Sequence, residues 1–580
     1  MSTKLRPISL AIIATLATST AIAEELQPII VSADLRESTE QDIPASVDVK
    51  TQADLQDQGA THFDDVLLKT PNVNFSGQSS RARHIQIRGM GERDEYTGAP
   101  NSSVGFAIDD IDFSGIGMTG NLFDVKQVEV LRGPQNTRYG QSAIGGLINI
   151  QTNDPTATRE SMVEATIGQD NHKELGVMTS GPVSSKEDAA QYRIAIFKHN
   201  SDGFRTNETL DRKDTNGRDE LTLRGKLRFF PDSDTTVDVS AIHADLDNGY
   251  DAWSRDNSFT TLSDEPGEDD MLTNAASVKL EWNGNPNYNL TSKTSLSDVD
   301  MNYNYDLDWI DYDPARTIGF FGNKLKRKTF SQDLKFESTP SSKIFNRSTD
   351  WVVGIYFSQL DEENVREETW QSRYGYTGGD PDIFNSNSES DFSNQKIALY
   401  TQLDQAISTK ATLTYGLRIE TNQKEFEQAA MKYSAYNTYD NDGNWTGYVP
   451  PYEYQITDSF NTDETLWGGS LAYSYKYNAT HTAFTSITRG YKSGGFNVGQ
   501  YNQQNTTFDT ETSYNYELGL KSNYPNIGLT TSTTAFYTDR HNPQFDGYSY
   551  EPGGYEWVFF TENLESATNY GLETEFDWEA

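Results

Sequence analysis

The residues best suited to hold a ligand gather in one short stretch. Arg81, Arg83 and Arg93, with Tyr96 beside them, form a basic cluster in a chain that carries 86 Asp and Glu against 47 Lys and Arg, a formal charge of −39. Guanidinium groups present a planar fork of donors that matches anionic oxygens. The cluster therefore reads as the floor of a site for an anionic ligand. The same arginines would serve equally as ion-pair partners for carboxylates elsewhere in so acidic a chain, and residue type alone leaves both roles open.

Other candidates for chemistry are weaker. Asp264, Glu265, Glu268, Asp269 and Asp270 offer oxygen ligands of the kind calcium takes. Asp440-Asn441-Asp442-Gly443 begins like a calcium loop, but Pro451 stands where the closing Glu belongs. Both read as solvated acidic faces, and no metal is expected. Seven scattered histidines give no pair of axial haem ligands, and His84 falls within a strand-like run. Tyr433, Tyr436, Tyr439, Trp445, Tyr448, Tyr452 and Tyr454 crowd one long loop, either to grip a ligand or to pack the loop. No convincing nucleophile–base–orienter set stands out, and no phosphate-binding Gly-x-x-x-x-Gly-Lys-Ser/Thr loop is present. The chain is expected to be neither an enzyme nor a carrier of a cofactor. Its acidity argues against a nucleic-acid partner, which demands a positive footprint.

The elements that must position these residues begin with an exported leader. Lys4 and Arg6 precede an apolar run, Ile8 to Ala17, and Ala21-Ile22-Ala23 offers a cleavage site, so residues 1–23 read as a secretory signal. Ten apolar residues cannot cross a bilayer core that needs about 20. Pro28-Ile29-Ile30-Val31-Ser32-Ala33 follows as a short β-prone run within 24–33. It is either the first strand of the next domain or an extended segment that adds a strand to a partner.

Residues 34–155 read as a compact α+β domain. A helix is predicted over Thr61–Leu68, with strands at Ile85–Arg88, Gly105–Ile108, Gln127–Leu131 and Gly146–Thr152. From 156 to 580 the texture changes to period two. Leu221, Leu223, Leu227 and Phe229 alternate with Thr222, Arg224, Lys226 and Arg228. Tyr516, Leu518 and Leu520 alternate with Glu517, Gly519 and Lys521. Short turns at Pro231–Asp234, Gly284–Pro286, Ser408–Lys410, Asn478–Thr480 and Tyr524–Asn526 alternate with long polar stretches, as periplasmic turns and outer loops do in a membrane β-barrel. About 16 candidate strands are counted. The last stops in mid-pattern, so the barrel is expected to be truncated at its C-terminus.

Ile85-Gln86-Ile87-Arg88-Gly89-Met90-Gly91 and the run from Val128 through Leu131-Arg132-Gly133-Pro134 to Gly145-Gly146 are the domain's most distinctive stretches. With Arg489–Asn497, Tyr516–Lys521 and the Asn563–Glu575 pattern, they make the chain closely similar to TonB-dependent outer-membrane receptors. Within that resemblance, Pro28–Ala33 resembles the TonB box. Arg88-Gly89 and Arg132-Gly133-Pro134 with Gly145-Gly146 resemble the two plug signatures. The resemblance implies an antiparallel barrel of 22 strands with the α+β domain as a plug inside it, located in the bacterial outer membrane and acting as a monomer. It implies TonB, with its inner-membrane complex, as energising partner, outer-membrane lipid as surroundings, and active import of a scarce nutrient. The expected cargo is a ferric siderophore, with cobalamin, haem or a glycan as alternatives. A passive porin is the competing class, and it would have no separate plug and no box. No room for an extra signalling domain stands between leader and box, so a transporter alone is expected.

Overall fold

The computed structural model describes residues 29–32, 35–36, 38–76, 80–93, 99–117, 120–184, 190–254, 256–309, 317–372, 382–440, 445–497, 506–550 and 557–578. The leader, Pro28, Ala33, Tyr96 and Asn441–Gly443 lie outside these residues.

The N-terminal domain is built around a five-stranded sheet. Its strands are β3 (Val47–Thr51), β6 (Val104–Ile108), β7 (Ile111–Asp112), β8 (Val125–Arg132) and β9 (Gly146–Thr152). They lie in the order β3-β8-β9-β6-β7, antiparallel except where β6 runs alongside β9. Two helices cover it, α1 (Gln52–Asp57) and α2 (Phe63–Lys69). Thr51 starts α1 through a reciprocal capping box with Asp54, which satisfies orphan backbone donors. The predicted helix over Thr61–Leu68 is α2; it buries Phe63, Val66 and Leu67 and ends at Thr70 before Pro71. A separate hairpin pairs β4 (Val73–Ser76) with β5 (His84–Ile87), which places His84 in a strand as expected.

Among the described residues of 160–578, sixteen strands form one antiparallel sheet in chain order, matching the number counted from alternation, and three two-stranded pairs lie in its connections. It starts with β10 (Glu160–Ile167), β11 (Lys173–Pro182) and β12 (Ala190–Ser201) and ends with Ser566–Trp578. Turns at 233–234, 283–287, 339–348, 407–410, 479–480 and 525–528 mark one rim, and longer connections such as 251–266 and 542–565 mark the other. Among the described residues no helix is long and apolar enough to cross a membrane.

Burial in this sheet is the reverse of a soluble protein's. Leu223, Leu227, Leu417, Ile419, Leu518, Leu520, Leu572 and Phe576 are exposed, while Arg418, Glu420, Glu517, Lys521 and Glu573 are buried. Apolar side chains facing out and charged ones facing in suit a wall between lipid and a polar lumen. The lumen is filled by the N-terminal domain. Contacts reach it from around the wall: Lys226 to Asp109 at 3.0 Å, Arg327 to the Ser114 carbonyl at 2.9 Å, Asn422 to Gln141 at 2.6 Å, and Lys521 to the Ile43 carbonyl at 3.0 Å. On one side the contact is apolar. Phe63, Val66, Leu67, Ile85 and Phe113 share a core with Ile242, Leu246, Met271 and Val299 of the wall.

The aromatic stretch around 433–454 is not an irregular loop. Ala411–Tyr439 and Trp445–Asn478 pair as one long hairpin whose register holds from Ala411↔Tyr475 out to Tyr439↔Trp445, with two irregularities near the tip. Likewise Glu268, Asp269 and Asp270 belong to the strand Gly267–Trp282 rather than to an acidic loop.

Candidate functional site

The plug is held by arginines at its polar side. Arg88 follows β5 with φ 54 and Gly89 with φ 74, a reversal that aims the guanidinium at the wall. Its Nε and Nη2 both reach the Glu573 carboxylate at 2.8 Å, and Nη1 reaches Glu517 at 2.7 Å. The group lies 4.0 Å over the Phe536 ring. Burial alone would lower its pKa, but Glu517 and Glu573 outweigh that and hold it above the ordinary arginine value. Arg132, at the end of β8, donates to the Pro71 carbonyl and Ser46 Oγ, each at 3.1 Å, and pairs with Glu575. Gly133 (φ 78) passes so near this cluster that a Cβ would stand 2.9 Å from Arg88 Nη1 and 3.0 Å from Asn515. A side chain there would be strained twice, by sterics and by backbone. Pro134 packs against Gly490 of the wall, and Gly145 accepts from Gly133 N at 3.1 Å before Gly146 opens β9 beside Arg132. The two glycine-rich stretches thus meet at one interface.

Residues 29–32, the described part of the 24–33 segment, are tucked against the plug. Its described part forms β1 (Ile30–Val31), which pairs with β2 (Ser38–Thr39) over only two residues. Val31 is fully buried among Ile43, Val47, Val49, Leu131 and Leu147. Ser32 donates from N and Oγ to Glu129 Oε1 at 2.9 and 2.7 Å, and Gln127 Nε2 donates to the Ile30 carbonyl at 2.9 Å. Ile29 is packed against the same cluster.

Between plug and wall lies a cavity of about 390 Å³. Among the described residues six cationic side chains line it, Arg83, Arg93, Arg327, Lys396, Lys492 and Arg540, against the four carboxylates Glu92, Asp112, Glu362 and Asp546. Phe508 and Phe545 supply apolar surface. Three of the cations are held in ion pairs: Arg327 to Glu362 at 2.6 Å, Lys492 to Glu92 at 2.7 Å, and Arg540 to Glu511 at 2.7 Å. Burial would raise the Glu92 pKa, but Lys492 and the Ser103 hydroxyl and amide outweigh it and hold the carboxyl below its usual range. Burial, reinforced by Arg83, pushes the His84 imidazole down to about 3, so His84 is neutral and accepts from Arg83 Nε at 3.3 Å.

The basic cluster read from sequence separates here. Arg93 is exposed in the cavity wall and Arg83 lines the cavity too, although it is buried against Met301 and the Tyr303 ring. Arg81 turns away. It is buried and pairs with Asp269 at 3.2 Å, while Ser80 N and Oγ donate to the other oxygen of that carboxylate. For Arg81 the ion-pair role prevails, because a wholly buried carboxylate stands opposite it. Tyr96 is outside the described residues. Among the described residues, Tyr433, Tyr436, Trp445, Tyr448, Tyr452 and Tyr454 of the aromatic hairpin are not part of the lining of this cavity. Asp264 comes within reach of Asp306 and Asp308, with one ligand atom from each inside 4.8 Å of the others. Lys396, Arg327 and Arg540 were not singled out in the sequence, where their only signal is an inward position in the alternation.

Residues 39–147 match the family model for the TonB-dependent Receptor Plug Domain, and residues 203–579 match the one described as TonB dependent receptor-like, beta-barrel. The "Pesticin receptor" of Yersinia enterocolitica is 24% identical over 551 residues, covering 91% of this chain and 72% of that protein. The "Vitamin B12 transporter BtuB" of Vibrio vulnificus is 28% identical over 252 residues, 43% of this chain and 39% of that protein. Among solved structures, the ferric yersiniabactin uptake receptor FyuA from Yersinia pestis superposes with a TM-score of 0.74 at 20% identity, covering 92% of this chain and 76% of that one.

Proposed function

This chain belongs to the TonB-dependent receptor family, and on that premise we propose that it draws a ferric siderophore through the bacterial outer membrane. The observation that carries the cargo is the cavity's six cations against four carboxylates in a chain of charge −39. Such a lining favours an anionic chelate over a neutral solute. Relatives named for ferric yersiniabactin and for ferripyoverdine point the same way. A vitamin B12 transporter is also among the relatives, so cobalamin is the second reading.

In this reading residues 1–23 are the leader, 24–33 the handle, 34–155 the plug and 156–580 the wall in lipid. A ligand held at nanomolar affinity is bound by about 12 kcal/mol, so inward release needs work. TonB supplies it by pairing with Pro28–Ala33. The two-residue ladder of β1 is a small obstacle to that exchange. The filled lumen argues against a passive pore.

Two measurements test this. A deletion strain complemented with the gene should grow on one or more ferric siderophores as sole iron source; rescue by cobalamin or a glycan alone overturns the cargo. Ile30→Pro removes a backbone donor from an added strand. It should abolish energised uptake while surface binding of the ligand persists, and undiminished uptake overturns the handle.

A further inference from the structure

Away from the cavity, at the long-loop rim of the first hairpin, two imidazoles close on one carboxylate. Glu174 and His199 are direct cross-strand partners on β11 and β12, and both are buried on the inward face. His172 ends the turn between β10 and β11, whose backbone is closed by Gly168 N to the His172 carbonyl at 2.9 Å. His199 Nδ1 stands 3.0 Å from Glu174 Oε1, and His172 Nε2 stands 3.4 Å from the same oxygen. The two rings meet edge to face with centroids 4.9 Å apart. One ligand atom from each of the three residues lies within 4.8 Å of the others.

Zinc bonded at about 2.0–2.1 Å in a tetrahedron sets neighbouring donor atoms roughly 3.3 Å apart. The two separations from the carboxylate bracket that edge. The surroundings are also those of a metal site. His199 Nε2 faces Ser201 Oγ at 3.2 Å, an outer contact that fixes the ring's orientation. Asn171 Nδ2 to Asp202 Oδ1 at 3.1 Å, and Asp202 N to the Asp170 carbonyl at 2.9 Å, brace the turn against the end of β12. The His172 side chain is 27% exposed, which leaves an entry path and room for water as a fourth ligand.

We propose that His172, Glu174 and His199 form a binding site for a divalent transition metal, zinc above all, that pins the β10–β11 turn to β12. Two nitrogens and one oxygen select a borderline ion over calcium, which takes six to eight oxygens. None of the three residues lines the cavity, so the site stands whether or not the import reading does.

The test uses the full mature chain in detergent micelles, purified without a polyhistidine tag. Equilibrium dialysis against Zn²⁺ should find one site per chain that excess Ca²⁺ does not displace, and Co²⁺ should give the visible absorption of a tetrahedral ion. His172→Ala, His199→Ala and the nearly isosteric Glu174→Gln should each weaken Zn²⁺ binding by at least about tenfold. His243→Ala, a histidine hydrogen-bonded to Asn274 on another strand, should leave it unchanged. No stoichiometric binding in the wild type, displacement by Ca²⁺, or equal affinity in the wild type and the three site variants overturns the proposal.

Discussion

Arg88 and Arg93 are five residues apart and do opposite things. Arg88 is sealed into the plug–wall interface with Glu573 and Glu517, while Arg93 is exposed in the cavity. Both are guanidinium groups on the same domain; what differs is that the wall brings two carboxylates to Arg88, whereas Arg93 is exposed. A buried arginine with two fixed acceptors is committed to structure, because separating it strands charges where water cannot reach. Arg93, exposed in the cavity, is the group on which the proposed ligand contact rests. The plug is therefore divided into a latched side and a proposed receptive face, with Arg81 on the latched side through Asp269.

Breaking the latch should give the largest effect. Arg88→Ala leaves Glu517 and Glu573 buried without their shared cation, and removing one partner of a buried pair costs about 3–5 kcal/mol. The expected result is a plug that opens to protease and exchanges amide hydrogens faster in β5 and β8, in a wall that still assembles. Adding Glu517→Gln and Glu573→Gln to Arg88→Ala should recover part of the loss. If Arg88→Ala leaves plug exchange unchanged, the latch is decoration and the contrast with Arg93 dissolves.

The receptive face is sharpened by a paired measurement. Hydrogen bonds to charged groups contribute about 1.5–3 kcal/mol, so Arg93→Ala should weaken ligand affinity by roughly tenfold to a hundredfold. Arg81→Ala should leave affinity within about twofold, since its partner is Asp269, and should instead loosen the segment at Ser80. Equal losses of affinity in the two variants would erase the division between them.

How much of this was legible depended on where the determining partner sits. Local signals were sufficient for α2, for the plug strands β5, β6, β8 and β9 and for the sixteen-strand wall, because glycine turns and period two are written in neighbouring residues, whereas β3, β4, β7 and α1 are not among the elements read from the sequence. Arg88 stood out for the same reason, in a turn before Gly89. Its partners did not, since Glu517 and Glu573 are 429 and 485 residues away and only the fold brings them in. Arg81 was undecidable by type, and Asp269 decided it. The hairpin through Tyr433–Tyr454 was read as a loop because its strands run on beyond the apolar belt. There the exposed residues Gln423, Glu425 and Glu427 are no more polar than the buried Asn422, Lys424 and Gln428 between them, so the contrast in residue type that reveals a strand fades although the ladder continues.

The smallest expected effect lies where the two regions touch, at Glu92. Its carboxylate accepts from Lys492 at 2.7 Å and from Ser103 N and Oγ at 3.0 and 2.6 Å, which ties the cavity-facing loop to the wall. Burial opposes the charged form, yet the Lys492 and Ser103 contacts prevail and the folded pKa falls below the unfolded value. A depressed carboxyl contributes stability that is fully present above its unfolded pKa of about 4.3 and is lost as pH falls through the folded value. The Ser103 amide should therefore be protected from hydrogen exchange at neutral pH and lose protection progressively as the carboxyl is protonated in acid. In Glu92→Gln that acid-dependent step should vanish, with protection low throughout. The Arg88 latch does not follow the same course in the mutant, because its carboxylates are different ones. A Ser103 profile that still shows the acid step in Glu92→Gln would place the titrating group elsewhere, and the tie between receptive face and wall would have to be sought in another pair.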